Sequence, residues 1–321
     1  MITGKLTQAE TAFEKAIRLD PRYLDARYYL SITLIHQEKY DKAEEHLQEL
    51  IKYGPRYEPA YLALAEIYRV RKEYDKGRNI LEQLKRKVNN PAHAEFGLGV
   101  IEYQQGNIEE AISKWLRAID ANPDLGSAYF NLGIAYFNKN ELSKAIGYLR
   151  QAIQKEPGDA EYYFYTGWFF YLSNNHDMAR SSFSQMQRNC PGSKYRKIVQ
   201  AINDIDNNNF ERANSFLDMA LKHDSDLAPA KFLKAKILEK TGDKASALSI
   251  YNELLKDDPN DRFVLESIKK LEENSGESPE TITHESQETK KDILPSPWEK
   301  KDSPEENGKQ PPPVNEETET Q

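Results

Sequence analysis

Large apolar residues recur three and four positions apart along most of this chain, as at Tyr129, Leu132 and Tyr136, with polar residues between them. That spacing gathers them on one face of an α-helix, whereas a strand would alternate them across a sheet. Polar stretches such as "YQQGNI", "FNKNEL" and "EKTGDK" interrupt the stripes and supply turns. The pattern predicts helices joined in pairs by short reversals.

A longer beat lies over the helical one. Prolines stand at Pro21, Pro55, Pro123, Pro157, Pro191 and Pro259, each gap being 34 residues or a multiple of it, with Asn89 and Ser225 in the vacant places. Ala9, Ala43, Ala111, Ala145, Ala179, Ala213 and Ala247 keep the same interval, with Gly77 as the one substitute. A large apolar residue follows four later, from Phe13 and Leu47 to Leu217 and Tyr251. Small residues precede those alanines by twelve, as Gly133 precedes Ala145. No insertion or deletion breaks the count over about 250 residues. Antiparallel helices approach closely only where both carry small side chains, so Gly133 is expected opposite Ala145. Proline lacks an N–H and ends the second helix of each unit. A generic helical bundle has no reason to hold such a metre.

The pattern resembles the tetratricopeptide repeat from residue 1 to about 273, and "GSAYFNLGIAYFNKNELSKAIGYLRQAIQKEPGD" (126–159) matches nearly every expected place. The resemblance implies an all-α fold, a right-handed superhelical solenoid of antiparallel helix pairs. Full units fall at 24–57, 58–91, 92–125, 126–159, 160–193, 194–227 and 228–261, followed by a capping helix at 262–273 with polar residues on its outer face. Residues 1–23 read as an incomplete repeat, its second helix only. Ala9, Phe13 and Ala16 would then lack a partner, and exposing Phe13 alone costs roughly 1.5–3 kcal/mol. An upstream extension of the chain, pairing of the bare edge with another chain, and fraying of the helix are three ways to meet that cost. Residues 274–321, with seven prolines and few apolar residues, have the composition of a disordered acidic tail. Within it "ILPSPWEKK" (293–301) is an apolar island, read as a solvated linker, with a short docking motif or a segment folding back into the groove as the alternatives.

In such arrays the first helix of each unit lines a concave surface. By the family pattern the second, fifth, ninth, twelfth and thirteenth places point inward, and in the third to fifth units they include Phe96, Val100, Tyr103, Phe130, Ile134, Phe137, Phe164, Trp168, Tyr171 and Leu172. "YYFYTGWFFY" (162–171) holds eight aromatics in ten residues. A helix cannot hide all its faces, so some rings are expected to stay exposed in the groove, where a contiguous apolar surface marks a partner site; the competing reading is a thick aromatic core. The fifth places read Tyr28, Leu62, Phe96, Phe130, Phe164, Ile198 and Phe232, so the Lys/Asn/Arg clamp of carboxylate-gripping family members is absent. The asparagine ladder of the glycosyltransferase-type arrays is represented at the sixth place by Asn131 alone. The expected partner is a protein, as an apolar helix or a hydrophobic extended segment. The sixth unit departs from the pattern: Lys197, Gln200 and Asp204 occupy buried places, which predicts a local slip of the helix absorbed by "DIDNNNF".

Charge and composition narrow the functions. Residues 274–321 carry a net −7, leaving −1 for residues 1–273, so the body has no excess of Lys and Arg for nucleic acid. No stretch reaches the ~20 apolar residues of a membrane span, and the first residues lack the basic-then-apolar pattern of a signal peptide. The lone Cys190 permits no intrachain disulfide or cysteine metal cluster and reads as a plain thiol. Six scattered histidines form no metal-binding pair, "DIDNNN" lacks a calcium loop's closing glutamate, and "FGLGV" follows no strand. No catalytic, cofactor or metal site is expected, and no enzyme. The sequence points to a cytoplasmic, non-enzymatic scaffold or adaptor that binds partner polypeptides through its concave aromatic groove, with self-association through the N-terminal helix possible. The alternative is an assembly or localisation factor for a membrane-associated complex, anchored by sequence upstream of Met1.

Overall fold

The computed structural model describes residues 2–273; the expected tail and "ILPSPWEKK" lie outside the described residues. Among the described residues there are sixteen α-helices and no strand. A single helix, α1 (Ile2–Leu19), precedes seven antiparallel pairs. These are α2 (Leu24–His36) with α3 (Tyr40–Tyr53), α4 (Glu58–Val70) with α5 (Tyr74–Lys85), and α6 (Ala92–Gln104) with α7 (Ile108–Ala121). Next come α8 (Gly126–Asn138) with α9 (Leu142–Lys155) and α10 (Ala160–Leu172) with α11 (His176–Asn189). The last pairs are α12 (Arg196–Asp206) with α13 (Phe210–His223) and α14 (Ala228–Thr241) with α15 (Lys244–Asp257), before a final helix α16 (Arg262–Glu273). Each pair stacks on the next, and the stack coils as a right-handed solenoid.

One backbone conformation makes every reversal within a pair. Glu38, Lys72, Gly106, Asn140, Asn174, Asn208 and Gly242 all have φ between +58° and +96°, and they are spaced 34 residues apart. The left-handed residue lets the next N–H turn back onto the helix just ended: Lys39 N donates to Leu34 O, Glu141 N to Tyr136 O and Asp243 N to Leu238 O, each at 2.8–2.9 Å. This is the six-to-one bond of a Schellman motif. Glycine and asparagine take the conformation readily, whereas Glu38 and Lys72 do so at a cost of roughly 1–2 kcal/mol.

The small-residue places are points of closest approach. A Cβ added at Gly167 would lie 2.6 Å from the Phe183 ring, and one at Gly133 would lie 3.3 Å from the Ala145 carbonyl. At Gly99 the bare backbone admits Trp115, whose Nε1 donates to Phe96 O at 3.2 Å. The core divides into clusters: one runs from Tyr28 to Ile101, a smaller one centres on Trp115, and the largest runs from Phe137 to Leu271.

Two expectations about local structure are corrected. Phe13 is half-buried and stacks on Tyr29 of α2 at 5.9 Å, so α1 is covered on one side. In the sixth unit the "DIDNNNF" turn is regular, with Asn208 at the usual left-handed place. The departure lies at the other end, where α12 begins two residues late at Arg196 and Ser193 to Tyr195 form a turn. Buried Asp204 pairs with Arg212 at 3.3 Å, and the Lys197 ammonium lies 5.1 Å from the Phe216 ring centre, so both polar groups find partners.

Candidate functional site

The inner helices α6, α8 and α10 converge on α14 and on the α15–α16 turn because the coil curves back on itself. Tyr103 at the end of α6 donates its hydroxyl to Asp258 Oδ2 at 3.3 Å, and Asn138 Nδ2 reaches the same oxygen at 3.4 Å. Asn260 Nδ2 donates to the Tyr103 carbonyl at 3.1 Å, and Arg262 donates to Asn140 Oδ1. Phe263 stacks on Phe137 at 5.0 Å, Phe137 on Phe169 at 3.7 Å, and Trp168 meets Phe232 edge-on at 5.8 Å. Residues 120 to 157 apart in sequence thus close the concave side around a cavity of about 340 Å³.

The predicted groove residues fall into two groups. Val100, Tyr103, Phe130, Ile134, Phe137, Trp168 and Leu172 line the cavity. Phe96 and Phe164 lie between helices, 1% and 0% exposed, Phe164 stacked on Tyr195 at 4.3 Å. Tyr171 lies between Trp168 and His176, with ring centres 5.6 and 5.5 Å away, and is not part of the cavity wall. Exposure of the rings is also less than expected: Phe137 is 3% and Trp168 6% exposed, because Phe263 and Phe232 cover them. Phe130, Ile134, Val100 and Leu172 remain half-buried at the cavity surface.

Several lining residues were not foreseen. Tyr165 stands at the sixth place of its unit, the place Asn131 holds in the unit before, and both line the cavity. Glu161 occupies a second place, which the inward-facing pattern could have flagged. Asp258 and Asp261 belong to an inter-repeat turn, and only the pitch of the coil brings them inward. The lining includes the acids Glu156, Asp159, Glu161, Asp224, Asp226, Asp258 and Asp261 against the bases Arg69 and Lys194. Their fields overlap: burial raises the Tyr165 phenol far above its usual range, and the carboxylates of Glu161, Asp261, Asp258 and Asp224 raise it further. Asp258 is pushed up to about 6 by burial and by the neighbouring Asp261 carboxylate, against the lowering effect of its hydrogen bonds from the Asn260 N–H, Tyr103 and Asn138. Asp261 is raised by burial, although it accepts from the N–H groups of Val264 and Phe263. Cys190 lies outside the cavity wall; its thiol donates to the Gly158 carbonyl at 3.4 Å and is raised by burial. No helix among the described residues is long and apolar enough to cross a membrane.

Family models match nearly all of the helical region. Models described as "Tetratricopeptide repeat" match residues 1–56, 34–96, 130–194 and 204–266, and one described as "TPR repeat" matches 99–140. No curated protein sequence matches the chain. Among solved structures, yeast Tom70 is similar with a TM-score of 0.55 and 17% identity, over 84% of this chain and 59% of that one. The APC/C hetero-tetramer Cut9-Hcn1 gives 0.53 and 15%, over 84% and 46%. Pseudomonas aeruginosa PilF gives 0.50 and 15%, over 66% and 97%. At these identities the likeness is one of fold.

Proposed function

The chain belongs to the tetratricopeptide repeat family, whose members are generally non-enzymatic protein-interaction scaffolds, and we propose that it binds partner polypeptides through the cavity on its concave side. The observation that carries this reading is the set of half-buried apolar side chains, Val100, Phe130, Ile134 and Leu172, that leave part of their surface open in the cavity wall. Apolar surface left facing water in a body otherwise packed to its core is stabilised by a ligand that covers it.

A photo-crosslinking residue placed at Ile134 or Val100 tests the proposal. Both are expected to capture the same partner, while the same residue at exposed Lys144, on the outer helix α9, captures none. Capture from Lys144 but not from Ile134 would move the interface to the convex side.

A further inference from the structure

The cavity carries more than apolar surface. Four carboxylates from three elements, Glu161 on α10, Asp224 after α13, and Asp258 and Asp261 in the α15–α16 turn, line the cavity together. Residues 1–273 as a whole are almost neutral, so this is a local concentration of negative charge.

The hydrogen-bond partners of Asp258 are neutral: a phenol, an amide and the Asn260 N–H. Those of Asp261 are two backbone N–H groups. Asp224 is paired with Lys194 at 2.7 Å. The Tyr165 ring stands half-buried in the cavity wall among these groups, and its hydroxyl makes no hydrogen bond within the described chain. A phenol open to the cavity can accept from a donor that enters.

The walls are aromatic, with Phe130, Tyr165, Trp168 and Phe232 among them. Ring faces and nearby carboxylates both favour a positive charge, the first through their quadrupoles and the second directly. The acids do not form a metal site: among the described residues no group of three or more His, Cys, Asp or Glu could hold a metal ion.

We infer that the cavity receives the positively charged side chain of an arginine or lysine carried on an otherwise apolar partner segment. This rests on the polypeptide-binding reading above and adds to it a charge requirement. The apolar flanks cover Val100, Ile134 and Leu172, while the cation lies among the rings and donates to the carboxylates and to Tyr165 Oη. The 274–321 segment of the chain carries a net −7 as a whole, which disfavours it as occupant, although its 293–301 stretch has one acid and two lysines and is therefore included in the test.

Three fluorescein-labelled heptapeptides with identical leucine and phenylalanine flanks, differing only in a central arginine, citrulline or glutamate, are titrated into the full chain by anisotropy. The arginine peptide is expected to bind about tenfold more tightly than its neutral citrulline counterpart, and the glutamate peptide more weakly than either. The double variant Asp258→Asn, Asp261→Asn is expected to remove most of the arginine-to-citrulline ratio, with circular dichroism reporting that the helices persist. Glu161→Gln, on a different element, reads the same ratio should the double variant fail to fold. Equal binding of all three peptides overturns the charge requirement and leaves the polypeptide reading standing. Binding of none overturns both. Binding of benzyltrimethylammonium without any peptide would identify a small-molecule cation site instead, and displacement of the arginine peptide by a peptide of sequence ILPSPWEKK would identify the chain's own tail as the occupant; either result overturns the inference.

Discussion

The two ends of the array are built from the same repeat and meet water differently. At the N-terminal end α1 is covered on one side only: Phe13 rests on Tyr29, which is itself 47% exposed, and Leu19 is 80% exposed. At the C-terminal end α16 buries Val264, Ser267 and Leu271, and the turn before it inserts Phe263 against Phe137. The local rules are identical at both ends, from the left-handed reversal to the alanine facing its partner. What differs is whether the coil brings a later unit back across the first helices. Units in the far half gain a second packing surface from that return, and the first units do not.

The contrast is sharpest in side-chain truncation. Trp168→Ala removes a ring packed on Phe164, Tyr171 and Phe232 and is expected to cost about 3–5 kcal/mol. Tyr29→Ala, at the half-covered edge, is expected to cost well under half as much, by urea unfolding followed at the helical signal. Equal losses would mean that the closing contacts add nothing to stability.

A second way to probe the difference is pH. In the closed arrangement Asp258 is pushed up to about 6, above its ordinary 3.8. Its protonated form is therefore favoured by closure, and that contribution is fully present below about pH 4 and lost as pH rises through about 6. Amide exchange at Asn260, Phe263 and Val264, corrected for intrinsic rate, is expected to become severalfold faster between pH 4.5 and 6.5. Asp258→Asn is expected to flatten that trend, and amides of α2 should show none of it. A flat wild-type profile would remove Asp258 as a determinant of closure.

The smallest effect concerns the reversals that both ends share. Lys72→Gly places a residue without a Cβ at φ +58° and is expected to stabilise the array by about 1 kcal/mol, read as a rise in Tm. The same change at an element with negative φ would destabilise, so the sign of the shift is the test.

The fold could be read from the sequence because its determinants are local and repeated. The 34-residue interval of proline, alanine and glycine fixes helix ends and close approaches, and Gly133 lies against Ala145 as that interval requires. The left-handed places were less visible, since Glu38 and Lys72 give no glycine or asparagine signal, although Gly106, Asn140 and Gly242 stand at the same interval. The cavity was only half legible. Inward-facing places named Val100, Phe130 and Ile134, but Phe96 and Phe164 at the same fifth place as Phe130 are buried between helices. The closing partners Asp258 and Phe263 could not be found at all from the interval, because their contacts with Tyr103 and Phe137 depend on the accumulated twist of several units. A small rotation at each junction, set by side-chain shape and not by spacing, decides which distant residues meet. The late start of α12 is one such adjustment, and the sequence showed the polar residues without showing which end of the helix would yield.

The meeting of Phe263 with Phe137 makes the array sensitive to its own number of units. Deleting one 34-residue module between α9 and α15 would leave the remaining hairpins and their left-handed reversals intact. It would also bring the α15–α16 turn round one step out of phase, opposite the wrong inner helix. Evolution can therefore lengthen or shorten such a chain with little damage to folding, yet in this protein a change of length between those two elements would dismantle the chamber at the axis, so that the tally of modules there is itself part of the cavity's architecture.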